Sequence, residues 1–147
     1  MNVGILGLGL IGGSLARAYA KAGYTVYAYD ADEDIFSFAQ LAGIVKGTLH
    51  EKNIHACKLI ILAIYTTGSV RWLENNARYI HKDTIVIDCC GVKREICSKC
   101  FPIASQYGFT FLGGHPMAGS HFSGFKYSRS NLFQGAPMVL VPPRYDD

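Results

Sequence analysis

No uninterrupted apolar run in the 147 residues approaches the ~20 that a membrane-crossing helix needs, so nothing here is expected to span a bilayer. A basic stripe with interleaved aromatics is also missing. The formal net charge is only +3, and Lys93, Arg94 and Lys99 are the one tight basic grouping, which argues against a nucleic-acid partner. The N-terminus opens with Asn2 and a strand-like run, without the basic segment and small-residue cleavage site of a secretory signal, so a cytoplasmic location is expected. Cysteine is sparse and odd in number, five in all, which suits reduced thiols better than a disulfide framework. Cys89, Cys90, Cys97 and Cys100 lie close together, and the Cys97-x-x-Cys100 spacing invites a zinc reading. Because Cys97 and Cys100 fall inside a helical pattern and Cys89 and Cys90 end a strand, no metal site is expected. Internal repeats and low-complexity segments are absent.

What is present is apolar and patterned. Half the residues are hydrophobic and 17% are charged, the balance of a globular chain long enough for one domain with a real core. The stretch that organises it is Gly7-Leu8-Gly9-Leu10-Ile11-Gly12, between the apolar run Val3 to Leu6 and a helical run from Leu10 to Lys21. Strand, tight turn and helix start in this order suit a dinucleotide. The first glycine permits the turn, the second lets a pyrophosphate approach the backbone, and the third lets helix pack closely on strand. The unpaired amides of the helix N-terminus, at Leu10, Ile11 and Gly12, then face the phosphates. With 16 glycines in the chain the pattern is weak by itself, so its context matters.

Tyr24 to Tyr29 alternates like a second strand and ends at Asp30, 23 residues after Gly7. A carboxylate there takes hydrogen bonds from the adenosine ribose hydroxyls and repels a 2′-phosphate, favouring NAD over NADP. The plainer alternative is that Asp30 caps the helix expected over Asp32 to Ala42, which Gly43 closes. Ile44 to Thr48 is a short candidate strand. The unbroken apolar block Leu59 to Ile64, within a strand expected over Lys58 to Tyr65, is the signature of a strand buried on both faces of a parallel sheet, so Tyr65 and Thr66 at its carboxyl end should face the ligand. A helix then starts at Thr67 or Ser69 and turns Val70, Leu73, Ala77 and Ile80 inward, with Trp72 and Tyr79 as packing. Further strands are expected over Thr84 to Asp88, Phe109 to Leu112 and Met138 to Val141, with a helix from Val92 to Tyr107 that Pro102 interrupts or shortens. This alternation predicts an α/β fold with a doubly wound, mainly parallel sheet of the Rossmann type.

Three strand ends carry glycine or polar residues, at Gly7 to Gly12, Asp88 to Lys93 and Gly113 to Ser120, and such ends converge on one crevice. His115 follows a predicted strand between glycine and proline. A turn so constrained holds an imidazole rigidly, and an ordinary histidine suits a general base near neutral pH; a histidine that only satisfies a turn carbonyl is the alternative. His50, His55 and His81 lie in loop-like, polar surroundings and are given no role. Asp88 suits a backbone contact at the next helix start at least as well as a catalytic part.

Gly7 to Ser14, Asp88-Cys-Cys-Gly-Val-Lys93 and Gly114-His-Pro-Met-Ala-Gly-Ser120, with Leu132-Phe133 and the strand ending at Pro142, resemble the prephenate dehydrogenase family over nearly the whole chain. The resemblance implies oxidative decarboxylation of prephenate with NAD to 4-hydroxyphenylpyruvate for tyrosine synthesis, some members taking arogenate. It makes His115 the base or hydrogen-bond partner of the reacting hydroxyl, and Gly91, Lys93, Ser120 and His121 candidate contacts to a small-molecule substrate. Two positions depart from the family. Gly91 stands where a serine usually orients the histidine, and His121 where an acidic residue is common. The resemblance also implies a helical second domain that makes the homodimer and holds a substrate carboxylate. Residues 1–143 are expected to be the NAD-binding domain, and 144–147 the start of a linker to that domain, which the sequence does not contain; alone the chain should then be nearly inactive. An NAD-binding regulatory module, or a dehydrogenase for another small acid, is the rival reading.

Overall fold

The computed structural model describes residues 1–118 and 122–144; Ser120 and His121, and the linker positions 145–147, lie outside the described residues. Seven strands form one sheet in the order β3-β2-β1-β4-β5-β6-β7. They are β1 (Asn2–Leu6), β2 (Thr25–Tyr29), β3 (Gly47–Thr48), β4 (Cys57–Leu62), β5 (Ile85–Asp88), β6 (Thr110–Pro116) and β7 (Met138–Val141). The first six pair in parallel, and β7 runs antiparallel to β6. Among the described residues five α-helices connect the first six strands: α1 (Leu10–Lys21), α2 (Glu33–Leu41), α3 (Glu51–Ile54), α4 (Thr66–Asn76) and α5 (Lys93–Tyr107).

The apolar run of β4 is split by strand geometry between two cores. Successive side chains point to opposite faces, so Ile60 and Leu62 join Val70, Leu73, Ile96 and Phe111 under α4 and α5. Ile61 joins Val3, Ile5, Ala16 and Ala39 under α1 and α2. A strand flanked by helices on both sides must be apolar throughout. Because β1 has β2 on one side and β4 on the other, the chain leaves β1 in one direction and later returns on the other, and the crevice where the strand order reverses opens at the carboxyl ends of β1 and β4.

Four expectations need correction. The strand expected over Ile44 to Thr48 shrinks to Gly47–Thr48 at the sheet edge, since Ile44 and Val45 are drawn into the core instead. The helix after β4 begins at Thr66, with Tyr65 as its N-cap. Helix α5 runs through Pro102 without interruption. The ring sits on the solvent side and the carbonyl it deprives of a partner, on Ser98, belongs to an exposed residue, so water can replace the bond. The strand expected to stop at Leu112 continues to Pro116, which puts His115 inside β6, opposite Val139, and not in a turn. Gly113 and Gly114 signal a break locally, yet the pairing with β7 carries the strand across them.

Candidate functional site

At the carboxyl end of β1 the chain turns at Gly7, whose φ is +94°. A Cβ on Gly7 would also stand 2.5 Å from Ile64 Cγ2 and 2.7 Å from the Ala63 oxygen, so no larger residue fits. Gly12 is excluded from change by the other side of the same turn: a Cβ there would lie 1.9 Å from the Gly7 oxygen. Gly9 differs, because nothing lies within 4 Å of where its Cβ would be. That space opens on a cleft of about 600 Å³ lined by Gly7, Gly9, Ile11 and Asp30 on one side and by Ala63 to Thr66 and Cys89 to Val92 on the other.

Helix α1 starts at the floor of this cleft with no side-chain cap and no acidic residue in its first turn. Its first internal hydrogen bond runs from the Gly13 amide to the Gly9 oxygen at 2.8 Å, which leaves the amides of Leu10, Ile11 and Gly12 ahead of any intrahelical acceptor. The contrast with α2 is direct. There Asp32 accepts from the Asp34 and Ile35 amides, and Glu33 and Asp34 add negative charge. The positive end of the α2 dipole is thus compensated, while that of α1 is left for an anion.

Asp30 bridges the turn and the next helix start. Its Oδ2 accepts from the Leu8 amide at 2.7 Å and its Oδ1 from the Asp32 amide at 2.8 Å. Asp30 thus braces the glycine turn, and the alternative that it caps α2 is corrected, because Asp32 takes that cap. A second recess of about 380 Å³, lined by Tyr29, Asp30, Glu33, Phe36 and Thr48 among others, shares Asp30 with the first. Tyr65 is 91% exposed at the rim, and Thr66 lines the wall.

At the far end of the cleft, Gly91 faces His115, and a Cβ on Gly91 would lie 3.9 Å from His115 Cε1. The Nδ1 atom of His115 is buried without a hydrogen-bond partner among the described residues. Lys93 does not reach the cleft, for its ammonium group pairs with Asp88, whose side chain is fully buried. The thiols at this end are held neutral. Burial first, and then the Asp88 carboxylate, push Cys89 up to about 12, and Cys90 and Cys97 are raised for the same leading reason. The structure thus gathers Gly7, Gly9, Ile11, Asp30, Tyr65, Thr66 and Gly91 around one cleft, with Leu10 and Gly12 in its helix start and His115 behind Gly91, and sets Lys93 apart. Sequence reasoning brought Cys89, Cys90 and Val92 to the crevice with the segment Asp88 to Lys93 but gave them no role, and it missed Ala63 and Ile64, although the rule that ligands lie at strand carboxyl ends points to both. It also gave no role to His50, which caps α3 through a reciprocal pair with Asn53.

The family described as prephenate dehydrogenase, nucleotide-binding domain, matches residues 15–147. Prephenate dehydrogenase of Lactococcus lactis is 36% identical over 140 residues, covering 93% of this chain and 40% of that protein, and the Bacillus subtilis enzyme is 28% identical over 148 residues, covering 97% and 40%. Among solved structures, Synechocystis arogenate dehydrogenase has a TM-score of 0.86 at 31% identity, and prephenate dehydrogenase from Aquifex aeolicus, in complex with hydroxyphenyl propionate and NAD+, has 0.81 at 28%. Each is covered to 52% by the whole of this chain, so the chain spans between 40% and 52% of the length of these relatives. With the nucleotide-binding family matching all but the first 14 residues, the chain belongs to the prephenate dehydrogenase family.

Proposed function

We propose that this chain is the NAD-binding part of a dehydrogenase that oxidatively decarboxylates prephenate to 4-hydroxyphenylpyruvate in tyrosine synthesis. The observation that carries the reading is the juxtaposition of two things: an uncapped helix start behind an open glycine, and, behind Gly91 at the other end of the cleft, a histidine whose Cε1 lies 3.9 Å from the Gly91 Cβ position and whose Nδ1 is buried without a partner among the described residues. The donor set fits a dinucleotide. Amides of Leu10, Ile11 and Gly12 take the pyrophosphate, Gly7 and Gly9 leave room for it, Asp30 takes the ribose hydroxyls, and Tyr65 and Thr66 flank its path. NAD, when bound, supplies the hydride acceptor. His115 accepts the proton of the ring hydroxyl as hydride leaves the carbon that bears it, and loss of carbon dioxide then makes the ring aromatic. Gly91 lies where substrate meets the histidine, Ser120 and His121 are proposed as further substrate contacts, and Lys93 contributes through Asp88. Residues 1–143 act as the cofactor-binding domain. The neighbour solved with NAD+ and hydroxyphenyl propionate supports both ligand classes.

The test is formation of NADH from prephenate by the full-length protein. His115→Asn is expected to lower kcat by about 10² or more while NAD still binds. Robust turnover by the variant would remove the base from His115. Titration should favour NAD over NADP by at least about tenfold, and equal affinity would end the role given to Asp30. Arogenate in place of prephenate is the second reading, supported by the resemblance to the Synechocystis enzyme, and the same assay with both substrates separates them.

A further inference from the structure

The backbone ladder between β5 and β6 ends at the pair Ile87 and Leu112. Past that point a side chain takes over. The Asp88 Oδ1 accepts from the Gly114 amide at 3.0 Å, and its Oδ2 accepts from the Cys90 amide at 2.9 Å and from Lys93 Nζ. The two amides precede His115 and Gly91, the two residues that face each other at the end of the cleft. One carboxylate therefore pins both segments whose separation sets the place of the imidazole. The fit is tight on the β6 side, where a Cβ on Gly114 would meet the backbone carbonyl oxygen of Asp88 at 2.4 Å and Ile87 Cγ1 at 2.8 Å. A carboxylate fully shielded from water needs its charge balanced. Lys93 does this from the first turn of α5, its side chain only 17% exposed and its stem against Gly113.

We infer that Asp88 is the positioning residue of this site, holding His115 against Gly91, and that Lys93 serves as its counter-charge and not as a substrate ligand. The inference rests on His115 being the proton acceptor. Asp88 never touches the reacting atoms: it acts by fixing two backbone amides, one on each side of the gap. A mere fold-stabilising pair would affect how much protein folds, whereas a positioning pair affects the rate of each folded site.

The variant that separates these is the double replacement Asp88→Asn with Lys93→Met, which removes both charges together so that neither is left buried alone. The asparagine oxygen still accepts from one amide but not from both. In the full-length enzyme, with sites counted by NAD binding, kcat is expected to fall at least about tenfold while KM for prephenate and Kd for NAD stay within about twofold. In the 147-residue chain the nuclear Overhauser contact between His115 Hε1 and the Gly91 α protons should weaken. A second variant, Lys93→Gln, tests the lysine: loss of kcat at unchanged KM supports the counter-charge role, and a raised KM at unchanged kcat overturns it. Wild-type kcat per site with an intact Overhauser contact in the double variant overturns the positioning role, provided His115→Asn is inactive. If His115→Asn is active, the functional reading has failed, and the Overhauser contact decides alone: retained, it overturns the placement of the ring by Asp88; lost, it upholds it.

Discussion

The three glycines of the turn make different demands, and replacing each by alanine should separate them. At Gly12 an added Cβ would stand 1.9 Å from the Gly7 oxygen and 3.1 Å from Ala63 Cβ, and neither neighbour is a flexible side-chain end. Overpacking of this kind costs up to about 3 kcal/mol, and the helix preference of alanine returns about 1 kcal/mol, leaving a net loss of about 2 kcal/mol. For a chain of this size that is a fall in Tm of about 6–8 °C. Gly9→Ala is the opposite case. Its φ of −78° suits any residue and its Cβ meets nothing, so stability should stay within about 0.5 kcal/mol. The same methyl group projects into the space proposed for the pyrophosphate, and NAD affinity should drop at least about tenfold, or about 1.4 kcal/mol. Urea unfolding monitored by circular dichroism and NAD titration by calorimetry read the two quantities independently. A Gly9→Ala protein that binds NAD as the wild type does would refute the placement of the pyrophosphate. A Gly12→Ala protein as stable as the wild type would refute the packing argument.

Two further outcomes are expected. Gly91 has no positive φ and its Cβ site is at ordinary contact distance from His115, so Gly91→Ser should fold normally and place a hydroxyl near the unpartnered Nδ1. One added hydrogen bond of about 1 kcal/mol should raise kcat by about fivefold in the full-length enzyme, and a fall in kcat would show that the glycine keeps space for the substrate. Alkaline pH should unfold the chain early. Burial raises Cys89 and Cys100 from 9.0 to about 12, so the unfolded state loses these protons first and stability falls between about pH 9 and 12, by up to about 1.4 kcal/mol per pH unit for each thiol. Urea unfolding at pH 8 and at pH 10.5 checks this, and an unchanged midpoint would contradict it.

The elements legible in the sequence are those whose cause is local. The turn at Gly7 needs a positive φ and a missing Cβ, and both are written in the residue itself. The apolar block of β4 is legible because burial on two faces leaves no polar position. The length of β6 was not legible, because Gly113 and Gly114 break a strand on local grounds and only the antiparallel pairing with β7 overrides them. Pro102 misled for a related reason: whether a lost helix bond matters depends on which face it leaves bare, and that is a tertiary fact. Asp88 was half legible. Its contact to Cys90, two residues on, follows from the sequence, but its contact to Gly114, 26 residues on, does not.

Asp30 and Asp88 show how the sheet builds a site from the same device used twice. Each lies at the carboxyl end of a strand and accepts an amide from a neighbouring segment, Leu8 in one case and Gly114 in the other. Backbone pairing has stopped at these places, so a carboxylate is what keeps the segments in register. The two differ in charge balance, and the difference matches what each end must receive. Asp88 is fully buried and neutralised by Lys93, so the end that holds His115 presents no net charge from this pair to the anionic substrate proposed for it. Asp30 is only half-buried and has no ion-pair partner among the described residues, so its charge still acts on the cleft. A charge there attracts hydroxyl donors and opposes a phosphate at the ribose, while the uncapped start of α1 attracts phosphate one turn away. An extra phosphate would thus be repelled at the ribose and a pyrophosphate held at the helix, which is the physical basis for expecting NAD and not NADP in this cleft.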